Sequence, residues 1–310
     1  MLHVQDAQAR VLCLAGPTGA GKTALAIQLA RALDGEIVNA DSRQLYADFP
    51  IITAQPSAEE QHQCPHHLYG CLATEQVMDV HTWTRLALDK VQAIRSRGHT
   101  PLLVGGTGMY FHILLHGIAD IPAIPSALHE ELLFRVAREG SAALHEELSR
   151  RDPVLAGRLH PNDRQRIVRG LEVALGTEHP LSWWQEHAAQ APLCAGPLLV
   201  IDTPLKDLEP RLLRRIDQML ALGALDEGKR AWERCPNPSA PGWSGIGCRE
   251  ICAHVQGQAD LAQTRELWMK NTRAYAKRQI TWFRGRRETV WLRSEDKDGA
   301  LRCWDAFCRA

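Results

Sequence analysis

The stretch LCLAGPTGAGKTALA, residues 12–26, decides how the rest of the chain is read. A short apolar run leads into Gly16-Pro17-Thr18-Gly19-Ala20-Gly21-Lys22-Thr23, and helix-favouring residues follow. This is the spacing of a phosphate-binding loop, in which glycines let backbone N–H groups turn inward between a strand and a helix. The helix N-terminus adds a dipole that favours an anion. In such a loop Lys22 reaches the terminal phosphates and the Thr23 hydroxyl holds Mg2+. The stretch predicts a phosphate binder and leaves open whether the phosphate belongs to ATP or to another diphosphate.

Working outward, EIVNA (36–40), PLLVGG (101–106) and PLLVIDTP (197–204) are further apolar runs bounded by Gly, Pro or Asp. Helical periodicity lies between them. In residues 81–98, Trp83, Ala87, Val91 and Ile94 recur at spacings of four, four and three, which puts them on one helix face. Strands alternating with helices predict an α/β fold, a P-loop NTPase-like parallel sheet core flanked by helices. From 118 to 195 the pattern changes to consecutive short helices without a strand candidate, with start signals at Asp152-Pro153 and Pro161-Asn162-Asp163. The expected division is therefore a core of 1–117 and 196–310 with an inserted all-helical lobe at 118–195. The chain then ends in a long helix from about 260 to 284 and a last strand near TVWL.

Lys and Arg together number 36, as do Asp and Glu, so the net charge of the 310-residue chain is zero. That mean hides two basic segments. Residues 264–287 hold eight Lys or Arg against one Glu, and residues 150–170 hold six Arg against two Asp. Local excess on a neutral protein points to a confined polyanion site. No apolar run reaches the roughly 18 residues of a membrane span, and MLHVQDAQAR does not read as a signal peptide. The nine cysteines form no CxxC pair, which fits free thiols in a reducing cytoplasm. Cys64, His66 and His67 are close in sequence, but two adjacent histidines on a loop rarely converge on one ion.

A nucleotide hydrolase or kinase usually adds an acid after a later strand. Here PLLVGG runs into Gly105-Gly106-Thr107-Gly108, with no carboxylate. The acid follows the second strand instead, as Asp41 in VNADSRQLY. Spacing alone allows Asp41 to be a metal ligand, a helix cap or a base toward a second substrate.

GPTGAGKT, NADSRQLY, TAQP, PHHL, LLVGGTGMY, NDRQRIVRGLEV, SGIGCRE and RAYAKRQITWFRGR follow one another between about residues 11 and 293. In order and spacing they resemble the tRNA dimethylallyltransferases, also called tRNA isopentenyltransferases. The resemblance implies that the loop Gly16–Thr23 holds the diphosphate of dimethylallyl diphosphate, with Mg2+ at Thr23. It implies transfer of the dimethylallyl group to N6 of adenosine 37, beside the anticodon. Asp41 would take the N6 proton, and Thr107 and Arg215 would act on the diphosphate, with Arg211 as the reserve. The tRNA anticodon stem-loop would be met by three segments: Asp41, Ser42, Arg43 and Gln44; then Gln165, Arg166, Ile167, Val168 and Arg169; then Ser244, Gly245, Ile246, Gly247, Cys248 and Arg249. Arg273, Lys277 and Arg278 would add contacts from the last long helix. Nothing in the sequence demands more than a monomer, and the expected setting is the cytoplasm, away from membranes.

Helical geometry places Lys270, Arg273, Lys277 and Arg284 within a sector of about 60°, with Trp268, Tyr275 and Trp282 roughly opposite. The aromatic stripe reads as core packing and the basic stripe as an outward face that follows an RNA backbone. The sequence departs from the family pattern at Gln55, where a Lys is usual, and at Cys248, where a Tyr is usual. Tyr69-Gly70 replaces the common Ile-Asp after PHHL. Cys303 and Cys308 are too few for the zinc finger of eukaryotic relatives. The competing readings are a prenyltransferase acting on free adenine nucleotides, a phosphate-loop kinase or ATPase, and a non-catalytic RNA-binding protein. The inserted lobe and basic helix weigh against the first, the missing second acid against the next, and Asp41 with Lys22 and Thr23 against the last.

Overall fold

The computed structural model describes residues 8–187 and 191–310. Most of the stretch read for a targeting signal, and a few residues of the expected insertion, lie outside these. The chain divides into two compact units. One comprises the chain up to Leu115 together with Leu193–Ala310, and the other is His116–Pro192.

The first unit contains eight strands among its described residues: β1 (Ala9–Arg10), β2 (Leu12–Ala15), β3 (Gly35–Asn39), β4 (His66–His67), β5 (Thr100–Gly105), β6 (Cys194–Ala195), β7 (Leu198–Ile201) and β8 (Thr289–Leu292). Six of them form one parallel sheet in the order β4-β3-β5-β2-β7-β8. Strands β2, β3 and β7 are buried along their whole length, as expected for a parallel sheet covered on both faces. Cys194–Ala195 lies inside the expected insertion but pairs in parallel with Ala9–Arg10, so it belongs to the core. Sequence reading also missed β4, because a two-residue edge strand carries no periodicity.

Helices α1 (Lys22–Ala32), α2 (Ala58–Gln63), α3 (Val80–Ser96) and α4 (Gly108–His116) follow successive strands. Asp79 starts α3 by accepting the Thr82 N–H at 2.8 Å, and Trp83, Ala87, Val91 and Ile94 bury the expected face. At roughly 1.5–3 kcal/mol for each large apolar side chain buried, this stripe is what fixes α3 to the sheet.

The described part of the second unit is helical, with α5 (Ser126–Glu139), α6 (Ser141–Arg151), α7 (Pro153–Ala156), α8 (Arg164–Gly176) and α9 (Leu181–His187). Asp152 accepts the Leu155 N–H and, with its other oxygen, the Ser182 N–H, both at 2.9 Å. Asp163 accepts the Arg166 N–H at the start of α8. The core of this unit gathers Leu132, Leu144, Leu148, Ile167, Val168 and Leu171.

Back in the first unit, α10 (Leu205–Ala221), α11 (Ala224–Arg234), α12 (Cys248–Val255), α13 (Leu261–Arg284) and α14 (Lys297–Arg309) complete the chain. A reciprocal capping box between Asp260 and Gln263 begins α13. Trp268, Ala276, Ile280 and Phe283 turn that helix inward.

Candidate active site

The phosphate loop joins β2 to α1 at the carboxyl end of the sheet. Gly19 and Gly21 sit at φ of 79° and 90°, a left-handed backbone that favours glycine. Lys22 donates from Nζ to the carbonyls of Gly16 at 2.9 Å and Pro17 at 3.0 Å, leaving its third N–H for a ligand. Burial pushes the Lys22 ammonium down to about 8; nearby Asp41 opposes the shift and Arg215 adds to it. The backbone N–H of Thr18 donates to Gln279 Oε1 at 3.0 Å. That donor, expected to face phosphate, is already engaged by a side chain from α13.

Asp41 follows β3 and is held by its own neighbourhood. Its N–H donates to Asn39 Oδ1 at 2.8 Å, and its Oδ1 accepts the Arg43 N–H at 2.9 Å. Asn39, fully buried, also donates to the Asp41 and Leu68 carbonyls. Gly105 lets this turn approach β5, since a Cβ there would stand 2.1 Å from the Ala40 carbonyl. Of the roles left open by spacing, the geometry leaves Asp41 Oδ2 facing Gly106, 3.4 Å from where a Cβ on that glycine would lie. Thr107 joins the same turn: its Oγ1 accepts the Ser42 N–H at 2.9 Å, and its N–H donates to the Ala40 carbonyl.

A cavity of about 210 Å3 brings Thr18 of the phosphate loop and Asp41 together with Arg215, whereas Lys22, Thr23 and Thr107 do not line it. Thr18, Asp41, Arg43 and Arg215 supply its polar wall, and Leu212, Ile216 and Met219 of α10 supply an apolar one. Arg215 is drawn downward from the usual arginine range by burial, against the attraction of Asp41 and Glu60. Arg211, one turn earlier, is exposed and does not line the cavity. Ser244, Ile246, Trp268, Thr272, Tyr275 and Arg278 close the remaining side. Arg43 crosses toward it by donating to Ser244 Oγ at 2.7 Å.

Several expected contacts are placed differently. Cys248 is 1% exposed, and burial drives its thiol upward, so it is a core residue and not a surface for RNA. Gly245 and Gly247 are buried as well, while Arg249 is exposed. Ile167 and Val168 belong to the core of the helical unit, whereas Gln165, Arg166 and Arg169 are exposed on α8. Gln44 turns inward to the Thr53 and Ala54 carbonyls, and Gln55 donates to the Tyr46 carbonyl. Both glutamines therefore shape the loop that carries them.

Along α13, Lys270, Arg273, Lys277 and Arg284 are exposed, and Arg273 is ion-paired with Glu209 of α10. The opposite stripe is more than core. Trp268 and Tyr275 line the cavity, and Trp282 covers Gly108. Sequence reading missed Gln279 as a site residue, although it lies about 40° from Tyr275 on that face. A buried amide within an aromatic stripe was the available signal. The His66-His67 pair is structural in part: His67 bonds the buried Glu36 carboxylate at 2.6 Å, alongside a bidentate Arg97. No group of three His, Cys, Asp or Glu among the described residues is placed to cage a metal.

A model of the IPP transferase family matches residues 44–286. The chain is 56% identical over 292 residues to a tRNA dimethylallyltransferase of Desulfovibrio desulfuricans, covering 94% of this chain and 90% of that one. It is 42% identical over 277 residues to a tRNA dimethylallyltransferase of Parvibaculum lavamentivorans, covering 89% and 88%. Among solved structures, the tRNA isopentenylpyrophosphate transferase of Bacillus halodurans matches with a TM-score of 0.70 at 30% identity, covering 97% of this chain and 96% of that one. A eukaryotic dimethylallyltransferase acting on tRNA matches with a TM-score of 0.78 at 29% identity, covering 97% and 77%.

Proposed function

The chain belongs to the IPP transferase family, and on that premise we propose that it transfers a dimethylallyl group from dimethylallyl diphosphate to N6 of adenosine 37, next to the anticodon of tRNA. The observation that carries this reading is the cavity shared by Thr18 of the phosphate loop, Asp41, Arg215 and an apolar wall. A diphosphate, a prenyl chain and a proton acceptor can meet there.

In the reaction the N6 lone pair attacks the allylic carbon, the carbon–oxygen bond to the diphosphate breaks, and N6 gives up a proton. The exocyclic amine is a weak nucleophile because its lone pair is delocalised into the ring. Asp41 Oδ2 is the acceptor, since Oδ1 is already taken by the Arg43 N–H. Charge gathers on the departing diphosphate. Lys22, Arg215 and the remaining loop N–H groups are the donors that would stabilise it, the largest contribution expected in such a site. Thr107 acts on the turn carrying Asp41 through its bond to the Ser42 N–H. Mg2+ commonly takes one or two protein ligands and completes its shell with phosphates and water, so a site without a protein cage suits it. The Thr23 hydroxyl, half-buried in the first turn of α1, is the residue that would hold the ion, which neutralises phosphate charge when bound.

The target base must leave its stack to enter a cavity of this kind. Arg43, Ser244 and Arg278, which line the cavity, are the side chains offered to its neighbours, and the exposed cations of α13 suit the RNA backbone. Action as a monomer in the cytoplasm, where tRNA is met, is part of the same proposal. No helix among the described residues is long and apolar enough to cross a membrane.

The test offers the protein Mg2+ and dimethylallyl diphosphate with either unmodified tRNA carrying adenosine 37 or free AMP, and reads digested products by mass spectrometry. Prenylated adenosine from tRNA alone is expected. Product from AMP alone would transfer the reading to the nucleotide-acting branch, and no product from either would overturn it.

A further inference from the structure

Gln279 lies near the centre of the site, yet it does not line the cavity. Its side chain is buried, with 5% of the residue exposed. The amide accepts the Thr18 N–H of the phosphate loop at 3.0 Å and donates to the Gly106 carbonyl at 2.9 Å. These partners lie on different loops, after β2 and after β5. A primary amide carries a donor and an acceptor on one planar end, so Gln279 satisfies both without a charge.

The contact leaves no slack. A Cβ at Gly106 would stand 2.1 Å from Gln279 Nε2 and 3.4 Å from Asp41 Oδ2. Gly106 is therefore the point where the Gln279 amide and the Asp41 carboxylate approach the same backbone. Another side chain of α13 braces this loop, since Trp282 covers Gly108. Positions 279 and 282 follow the i, i+3 spacing of one helix face, so one rigid element contacts the loop on both sides of Thr107.

We propose that Gln279 is a positioning residue that ties the phosphate loop to the Gly105–Gly108 loop and so sets the leaving diphosphate in register with Asp41. The inference rests on the prenyl-transfer reading. It accounts for the Thr18 N–H, which serves as a tether instead of a phosphate donor. It also gives α13 two tasks, holding the loop register on one face while presenting Lys270, Lys277 and Arg284 on the other.

Two isosteric variants test it by single-turnover transfer at saturating dimethylallyl diphosphate and tRNA, with thermal unfolding and tRNA affinity measured on the same samples. Gln279→Met keeps the length and removes both polar partners. Gln279→Glu keeps an acceptor for Thr18 but turns a carboxylate oxygen toward the Gly106 carbonyl. Misplacement by about 1 Å can cost on the order of 100-fold in rate, so a fall of about 10- to 100-fold is expected in both, with tRNA affinity within about twofold of the parent. Folded variants that transfer at the parental rate would overturn the positioning role. Should the Met variant fail to fold, the Glu variant decides; failure of both to fold would make Gln279 a purely structural residue and overturn it equally. A parent protein that yields no prenylated tRNA would instead overturn the functional reading beneath it.

Discussion

The lowered Lys22 ammonium makes a prediction that separates its charge from its shape. With a pKa of about 8, Lys22 is about nine-tenths protonated near pH 7 and about one-tenth protonated near pH 9. Burial produces the shift, so the ammonium form is the costly one, and an arriving diphosphate restores it by supplying negative charge. Binding at high pH must therefore take up a proton. The affinity for dimethylallyl diphosphate in Mg2+ should weaken by about tenfold between roughly pH 7 and pH 9. Calorimetry near pH 8 in buffers of different ionisation heat should register about half a proton taken up.

The neighbours give the sign of two further shifts. Arg215 depresses Lys22 and Asp41 supports it. Arg215→Gln should accordingly move the inflection to higher pH, and Asp41→Asn should move it lower, whatever each does to absolute affinity. Lys22→Met should bind weakly and show no inflection, which isolates the lysine from titration of the ligand itself. If the parental affinity stayed within about twofold across that range, or if the inflection survived in Lys22→Met, Lys22 would not be the titrating contact and the charge argument would fail.

Three other outcomes follow from single contacts. Asp41→Asn retains an acceptor for the Arg43 N–H, so tRNA affinity should hold within about twofold while single-turnover transfer falls by at least about 100-fold; transfer near the parental rate would remove Asp41 as the proton acceptor. Replacing Lys270, Lys277 and Arg284 together by Ala should reduce the salt dependence of tRNA affinity by up to about two or three in slope, roughly 0.7–0.9 for each phosphate no longer neutralised, and an unchanged slope would take α13 off the RNA path. For Glu36, burial acts to raise the carboxyl, but hydrogen bonds from His67 and Arg97 overcome it and hold it below the usual range. That stability is present above the unfolded carboxyl range and is lost as pH falls through the folded value. Arg97→Met should cost about 1–3 kcal/mol in urea unfolding near pH 7, less than the roughly 3–5 kcal/mol of a fully buried pair because Arg97 is half exposed, and the difference should shrink near pH 3.

What the sequence made legible was local. GPTGAGKT specified its own loop because the needed conformations belong to Gly19 and Gly21 themselves. Buried strands such as LCLA and LLVI showed as apolar runs because both faces are covered. Asp152 and Asp163 announced the helices they cap, three residues or fewer away. The losses lie where a residue's task is set by a distant partner. The sequence argued against a metal at His66-His67 but could not show that His67 serves Glu36, 31 residues back. Ile167, Val168 and Cys248 travelled with exposed neighbours inside their motifs, but a helix alternates faces and a motif does not say which residues turn inward.

Gln279 shows the same limit at the catalytic centre. Its partners are 261 and 173 residues away, and neither distance leaves a mark on periodicity. What did leave a mark was the conflict of a polar amide placed between Tyr275 and Trp282 on an otherwise aromatic face. Buried polar groups are costly unless bonded, so a glutamine on an inward face implies polar partners elsewhere in the chain. Those partners are the backbone groups of the phosphate loop and of the glycine loop beside Asp41. The helix that would bear the RNA thus also fixes the spacing between leaving group and base, and a substitution on its buried face should disturb the chemistry before it disturbs RNA binding.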